Sequence, residues 1–482
     1  MAGVAERFYR GSPIWAQHII VAAYGSWWYR RRFGPDFHRL VGEFKARERW
    51  TAHGFRSYQE QQLRKIINAA WGSSYYRQVF REVGVTPDMA PFAALRRMPF
   101  LSKETLRRRA RELLTRNPLP KGSLSFKSSG TTGTPTEIYY TREFHALELA
   151  VPEARNLHWA GVDYRERRVM FGVRKVCHFE QNNPPFWRFS PTEKMAYASI
   201  YHLSPKFLPR YLEFLRRYRP AIIMGYPSAL NTIASYALHN NDMPVPAKGV
   251  FTTSETVTAD ARERIETAFQ CRIHDRYCAV EMCLFASQCE HGRYHVSPEV
   301  GIIEIVDPHG NEVPPGEIGE VICTGLQNTL QPLIRYRIGD AARWAIDQKC
   351  LCGRAMPILE AVEGRFEDIC YTPDGREILR FDTVFKGVEN IREAQVIQER
   401  IDSFTINVVP AAGFSGHDIE TIKHNMRSHV GTVHADIKPV SDIPRTASGK
   451  FRAVVCSLSP QDKKQLRHLR SVRQRPQSRA VP

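Results

Sequence analysis

The chain has 482 residues, of which 43% are hydrophobic, 24% charged and 11% aromatic. This composition excludes disordered, collagen-like and coiled-coil chains, and at ~100–200 residues per domain it leaves room for two to four domains. Ten cysteines are too sparse for a disulfide scaffold, the start lacks a secretory signal, and no run of about 18 apolar residues occurs, so a reducing, cytoplasmic setting without a membrane span is expected.

The net charge of +18 is uneven. Residues 1–50 contribute +5, residues 96–116 contribute +6 and residues 461–482 another +6, which leaves the remainder nearly neutral. Such basic segments suit a polyanion or an anionic membrane surface, or are solvated faces and a frayed end. Nothing in the sequence resembles an RNA-binding signature or a helix-turn-helix, so no specific nucleic-acid partner is expected. The apolar stretch Ile14 to Tyr29 is interrupted by Gln17, His18, Gly25 and Ser26. It reads as a buried N-terminal helix, with an interfacial segment as the alternative.

Residues 1–120 read as mainly helical: Leu63, Ile66, Ile67 and Ala70 recur at helical spacing, and Ser102 is placed to cap a following helix. From Gly122 to about Leu359 strands and helices alternate. AIIMGY (Ala221–Tyr226) and GVFTTSE (Gly249–Glu255) are short apolar runs of buried-strand type, separated by helical patterns, which predicts α/β layers with parallel strands. GIIEIVD and EVICTG, joined through a Gly/Pro-rich turn, predict antiparallel pairing. Beyond Gly364 a smaller unit follows: strand SFTINVVP, helix HDIETIKHNMRSHV and strand HADIKPV. The expected division is a large domain 1–363, a small domain 364–459 and a basic tail 460–482. No internal repeat is evident.

Five motifs carry chemistry. FKSSGTTGTPT holds two glycines and five hydroxyl residues in Ser128, Ser129, Gly130, Thr131, Thr132, Gly133 and Thr134, a loop able to wrap phosphate oxygens, though without the Walker spacing. In DRYCAVE, after a predicted strand, Tyr277 can stack on a base and Glu281 can hold a Mg²⁺ that also contacts phosphates. RYRIGD ends in Asp340, suited to a ribose diol, and EGRFEDI supplies Arg365 for ribose or phosphate oxygens. PRTASGK places Lys450 after a glycine turn, as a point charge for developing negative charge.

In this order the motifs resemble those of the adenylate-forming ligase superfamily, over residues from about 60 to 456. PPFWRF, IIMGYPSAL, SQCEHGRYHV, CLCGRAMPILEAVEGR and FKGVENIREAQVIQ are similar to the branch of phenylacetate–CoA ligases and capsular-polysaccharide biosynthesis proteins. The resemblance implies a large α/β adenylation domain and a small mobile α+β lid. It implies that Ser128–Thr134 holds the β- and γ-phosphates of ATP, Ser254 and Glu255 lie along the adenine, Tyr277 packs on it, and Glu281 ligates Mg²⁺. Asp340 takes the ribose hydroxyls, Arg365 contacts ribose or phosphate, Glu367 is the hinge, and Lys450 bridges α-phosphate and substrate carboxylate. The expected activity is an AMP-forming acid–thiol ligation, with a small carboxylic acid, ATP and coenzyme A. Two departures stand out. The family loop usually ends with a lysine where Thr134-Pro135-Thr136 stands here, and the hinge is Glu367-Asp368 rather than two aspartates.

Cys289, His295, Cys350 and Cys352 can supply four ligands to a structural Zn²⁺, with His291 as the substitute for His295. Related ligase-like sequences carry similar Cys/His patterns; the alternative is reduced, buried thiols. His178, Trp187, Arg188, Tyr201 and His202 are candidates for an acyl pocket or for core. Two rival activities remain: acyl transfer from the adenylate to an amine or hydroxyl, and a non-catalytic polyanion-binding adaptor of the same fold.

Overall fold

A computed structural model describes residues 8–462 apart from 10, 128–135, 173, 175, 179, 205, 254–256, 258, 308, 318, 364–369, 374–376, 379–380, 389, 411, 442, 445–453 and 460. The loop 128–134, Ser254, Glu255, Arg365, Glu367, Lys450 and nearly all of the basic tail therefore lie outside the described residues.

The strands in chain order are β1 (Leu124–Lys127), β2 (Glu137–Tyr140), β3 (Arg168–Gly172), β4 (Trp187–Ser190), β5 (Met195–Ser199), β6 (Ile222–Gly225), β7 (Gly249–Thr252), β8 (Ile273–Cys278), β9 (Phe285–Gln288), β10 (Tyr294–Val296), β11 (Gly301–Val306), β12 (Gly319–Gly325), β13 (Tyr336–Trp344) and β14 (Ile358–Glu363). Twelve of them form one sheet in the order β11-β12-β13-β14-β10-β9-β8-β7-β6-β3-β5-β4. The half from β5 to β8 is parallel, with β4 added antiparallel at the edge. The other half is antiparallel throughout.

Strand β8 belongs to both halves. Its residues Ile273–Asp275 pair parallel with β7, and Arg276–Cys278 pair antiparallel with β9. Asp275 sits at this change of pairing, buried, and is tied in three directions. Thr252 of β7 donates to Oδ1 at 2.5 Å, Tyr294 of β10 donates to Oδ2, and its own N–H bonds Gln288 of β9 at 3.2 Å. Burial raises its carboxyl pKa, partly offset by the two hydroxyl donors.

The parallel strands are continuous apolar runs because helices cover them. Helices Leu208–Tyr218, Pro227–His239 and Ala259–Phe269 bury Leu212, Leu230, Ile233 and Ile265 against Val169, Phe171, Ile222 and Val250. At ~1.5–3 kcal/mol per fully buried large aliphatic side chain, this face is the main stabilising term of the parallel half. The antiparallel half packs against the N-terminal helices. Helix Ala52–Ala70, capped by Thr51, turns Leu63, Ile66, Ile67 and Ala70 inward, the stripe read from the sequence.

The antiparallel half curls. Three strands separate β13 from β8, so at ~4.8 Å between neighbours a flat sheet would hold them far apart. Yet the Tyr277 hydroxyl of β8 lies 2.8 Å from Asp340 of β13. Inside the curl runs the segment 281–284, and two glycines in register across β11 and β12, Gly301 and Gly325, make room for it. A Cβ on Gly301 would stand 1.9 Å from the Cys283 carbonyl oxygen, and one on Gly325 3.3 Å from the Cys283 Cα. Met282 takes a left-handed backbone there, with φ 46°, which places Glu281 at the inner rim.

Residues 370–454 form a core of their own. Strands β15 (Cys370–Tyr371), β16 (Glu377–Ile378), β17 (Ile391–Arg400), β18 (Ser403–Pro410), β19 (His434–Pro439) and β20 (Val454–Cys456) make a two-stranded and a four-stranded sheet, the latter ordered β19-β18-β17-β20. Helix Gly416–Val430 opens with a Ser415/Asp418 capping box and lays Ile422, Met426 and Val430 on Val396, Phe404 and Ile406.

One expectation is corrected. Helix Ile14–Arg32 is not a buried helix: it lies on the edge strand β4 with an outer face open to solvent.

Two substitutions test this account. Gly301→Ala should lower stability by about 1–3 kcal/mol through backbone overpacking, read from the urea midpoint by circular dichroism. Asp275→Ala should cost about 1–3 kcal/mol by leaving buried hydroxyls unpaired, with Asp275→Asn recovering part of it. Wild-type midpoints in both alanine variants would contradict the roles given to the crossing and to the seam.

Candidate functional site

Parallel strands β3, β5, β6, β7 and β8 all end on the same edge of the sheet, where open α/β sheets bind ligands. Two of the candidates predicted from sequence, Tyr277 and Asp340, are brought together there from 63 residues apart. The Tyr277 hydroxyl donates to Asp340 Oδ2 at 2.8 Å. Gly339, at φ 85°, supplies the left-handed turn just before Asp340. Burial, and then the neighbouring Asp340 carboxylate, push the Tyr277 phenol well above its ordinary pKa, so it stays a donor.

Glu281 is buried, with 5% of its surface exposed, and its Oε1 accepts from the Tyr336 hydroxyl at 3.0 Å. Burial and Glu281 likewise raise the Tyr336 phenol. Tyr336 is a site residue that motif reasoning misses; the one local signal for it is its place four residues before Asp340 in RYRIGD. The two carboxylates thus share one construction, an acidic oxygen oriented by a neutral phenol. Each oxygen is thus held in place by a hydroxyl donor on a neighbouring strand or segment.

The second cluster joins Cys289, His295, Cys350 and Cys352, whose ligand atoms all lie within 4.8 Å of one another. Cys289 follows β9, His295 is on β10, and the other two stand in the turn before β14. Cys289 and Cys350 sulfurs are 3.7 Å apart, and Cys352 Sγ is 3.3 Å from His295 Nε2. His295 Nδ1 faces the Met356 carbonyl oxygen at 3.3 Å, which leaves Nε2 for the cluster. Of the two histidines weighed, the structure brings in His295; His291 instead donates its backbone N–H to Cys289 Sγ at 3.3 Å. Burial pushes the Cys289 thiol up to about 12 and the His295 imidazole down to about 4. Three sulfurs and one imidazole nitrogen at this separation fit a tetrahedral ion of the zinc type, with no position left open. Around it, Arg354 lies over Trp159 at 4.4 Å and pairs with Glu48 and Glu290, both at 2.6 Å.

The acyl-pocket candidates divide. Arg188 is fully buried and bonds Gln17 and the Pro185 carbonyl. Trp187 stacks on Phe214 at 4.1 Å, and His202 is fixed between Ser199 and the His178 carbonyl while stacked on Phe186. These three are core. Tyr201 follows β5 at the ligand edge and meets His429 of the C-terminal unit at 6.3 Å. A cavity of about 140 Å³ lies beneath helix Ile14–Arg32, lined by residues that include Tyr9, Trp28, Arg174, Glu193 and Tyr197. None of them was among the sequence candidates.

Residues 128–331 match the AMP-binding enzyme family and residues 370–457 the CapK C-terminal domain. The chain is 23% identical to Protein CapK of Staphylococcus aureus over 93% of its own length and 98% of that protein. It is also 23% identical to a phenylacetate-coenzyme A ligase of Thermus thermophilus, over 83% and 96% of the two chains. Its fold is similar to that of a 2-hydroxyisobutyryl-CoA ligase solved with 2-HIB-AMP and CoA, with a TM-score of 0.56, 21% identity, and coverage of 85% of this chain and 91% of that one. With the fold, the order of motifs and these relatives in agreement, the chain belongs to the adenylate-forming ligase superfamily, in the branch of the phenylacetate–CoA ligases and CapK.

Proposed function

We propose that the protein activates a carboxylic acid with ATP and passes the acyl group to the thiol of coenzyme A. The observation that carries this reading is the convergence of Asp340 and Glu281, each oriented by a neutral tyrosine, at the ligand edge of an adenylate-forming fold. Asp340 accepts from the ribose hydroxyls, and Tyr277 fixes the carboxylate while offering its ring to the adenine. Glu281 would hold Mg²⁺, which when bound offsets charge on the phosphates. Ser128–Thr134, Ser254, Glu255, Arg365 and Lys450 take the roles carried by the resemblance.

In the first half-reaction a carboxylate oxygen attacks the α-phosphorus and the bond to pyrophosphate breaks. Lys450 neutralises the charge gathered between carboxylate and phosphate. In the second, the thiol sulfur attacks the acyl carbon, AMP leaves, and the thiol proton goes to solvent or a nearby base. The unit 364–459 swings about Glu367 between the two, exchanging Lys450 for a thiol channel. The Cys/His cluster we assign to a structural zinc that ties the β9–β10 hairpin to the 350–356 turn.

Carboxylate-dependent ATP–pyrophosphate exchange tests the first step across aryl, fatty, amino and sugar acids. Exchange is expected with at least one acid, and Lys450→Ala should reduce it by about 10²–10³-fold while ATP still binds. Full exchange in that variant would remove Lys450 from the chemistry, and no ATP binding at all would favour the adaptor. For the metal, mass spectrometry should find about one zinc per chain, lost in Cys350→Ser/Cys352→Ser together with thermal stability. A metal-free wild-type protein of undiminished stability would refute the assignment.

A further inference from the structure

Helix Ile14–Arg32 is built the wrong way round for a helix packed on a protein. Its polar residues face inward. Gln17 Oε1 accepts from Arg188 Nε at 2.9 Å, His18 Nδ1 accepts from the Phe189 N–H at 3.3 Å, and Ser26 bonds Thr192 at 2.6 Å. Gly25 presses against β4 so closely that a Cβ there would stand 2.0 Å from Ser190 Oγ. Val21 and Trp28 turn inward with them, but four large side chains stay open to solvent: Trp15 is 68% exposed, Ile19 60%, Tyr24 56% and Trp27 54%. Trp15, Ile19, Ala23 and Trp27 follow one another at four-residue spacing along one side, with Arg30 continuing that side at the helix end. An amphipathic surface helix normally hides this stripe.

We propose that this outer face docks on an anionic lipid surface, the helix lying in the plane of the headgroups. Charge complementarity selects that occupant. The helix contains no acidic residue, its last turn carries Arg30, Arg31 and Arg32, and Arg30 is exposed. Tryptophan and tyrosine beside aliphatic side chains are the residue types that settle at the boundary between acyl chains and headgroups. The helix is about 28 Å long and lies along edge strand β4, so it can lie flat without disturbing the sheet. No described helix is long and apolar enough to cross a membrane, which agrees with an interfacial rather than a spanning role. The polar inner face has its own consequence: the helix stays attached to the domain by Arg188, His18 and Ser26 whether or not lipid covers the other side.

The test is cosedimentation of the full chain with vesicles of phosphatidylcholine containing one-third phosphatidylglycerol, and with phosphatidylcholine alone. Binding is expected on the anionic vesicles, weakening as salt rises, with tryptophan emission quenched by brominated acyl chains. Trp15→Ser/Ile19→Ser should reduce partitioning by at least about tenfold while keeping the wild-type urea midpoint. Arg30→Gln should reduce it about threefold to fivefold on anionic vesicles only. Absence of vesicle binding overturns the proposal, as does binding that the Trp15/Ile19 pair does not affect, which would place the contact on other basic segments. A concentration-dependent dimer, lost in the same double variant and without vesicle binding, would assign the face to a second copy of the chain. Brominated-lipid quenching in the wild-type protein gives a readout that does not depend on any variant folding.

Discussion

The change of pairing within strand β8 is the constraint on which the rest of the molecule depends. A parallel ladder needs helical crossovers on its faces, and an antiparallel ladder needs only turns. One strand that starts in the first and ends in the second joins a layered α/β half to a curled all-antiparallel half without a linker. Asp275 holds the junction by taking hydroxyl bonds from both sides and a backbone partner from β9. Beyond the junction, Tyr277 is the residue that points across the curl. The architecture thus delivers a tyrosine from one half to a carboxylate of the other as a direct result of how the sheet is made.

The glycine pair is the complement of that arrangement. Curling β11–β14 around the segment 281–284 would fail if both facing positions carried a side chain, because the Cys283 carbonyl already occupies the space at Gly301. Removing two Cβ atoms lets the segment cross, and the left-handed turn at Met282 sets the direction in which Glu281 leaves it. Placement of an acidic site residue is therefore a packing property of two strands distant from it in sequence.

Much of this was legible in the sequence where the signal is local. Apolar runs such as AIIMGY and GVFTT became β6 and β7, the GIIEIVD and EVICTG pair became the β11–β12 ladder, and Ser102 caps its helix. The partnership of Cys289, His295, Cys350 and Cys352 was legible too, since few residue types serve a metal. What was not legible depends on partners. Trp187 and Arg188 look like pocket residues until Phe214 and Gln17 are seen to occupy them. Helix Ile14–Arg32 looks buried from composition because hydropathy does not say which side meets the protein. Tyr336 gains its role only when the curl brings it to Glu281.

The use of phenols to orient both site carboxylates has a consequence for how ligands are felt there. A phenol raised by burial and by the acid beside it keeps its proton, so each hydroxyl stays a donor and leaves its neighbour the acceptor role. Asp340 and Glu281 are therefore presented as acceptors, one to each tyrosine. A ligand that brings its own donors, such as a hydroxyl, meets oxygens already turned to receive them. The two tyrosines in this sense set the hydrogen-bond polarity of the edge, favouring a donor over an acceptor of the same shape.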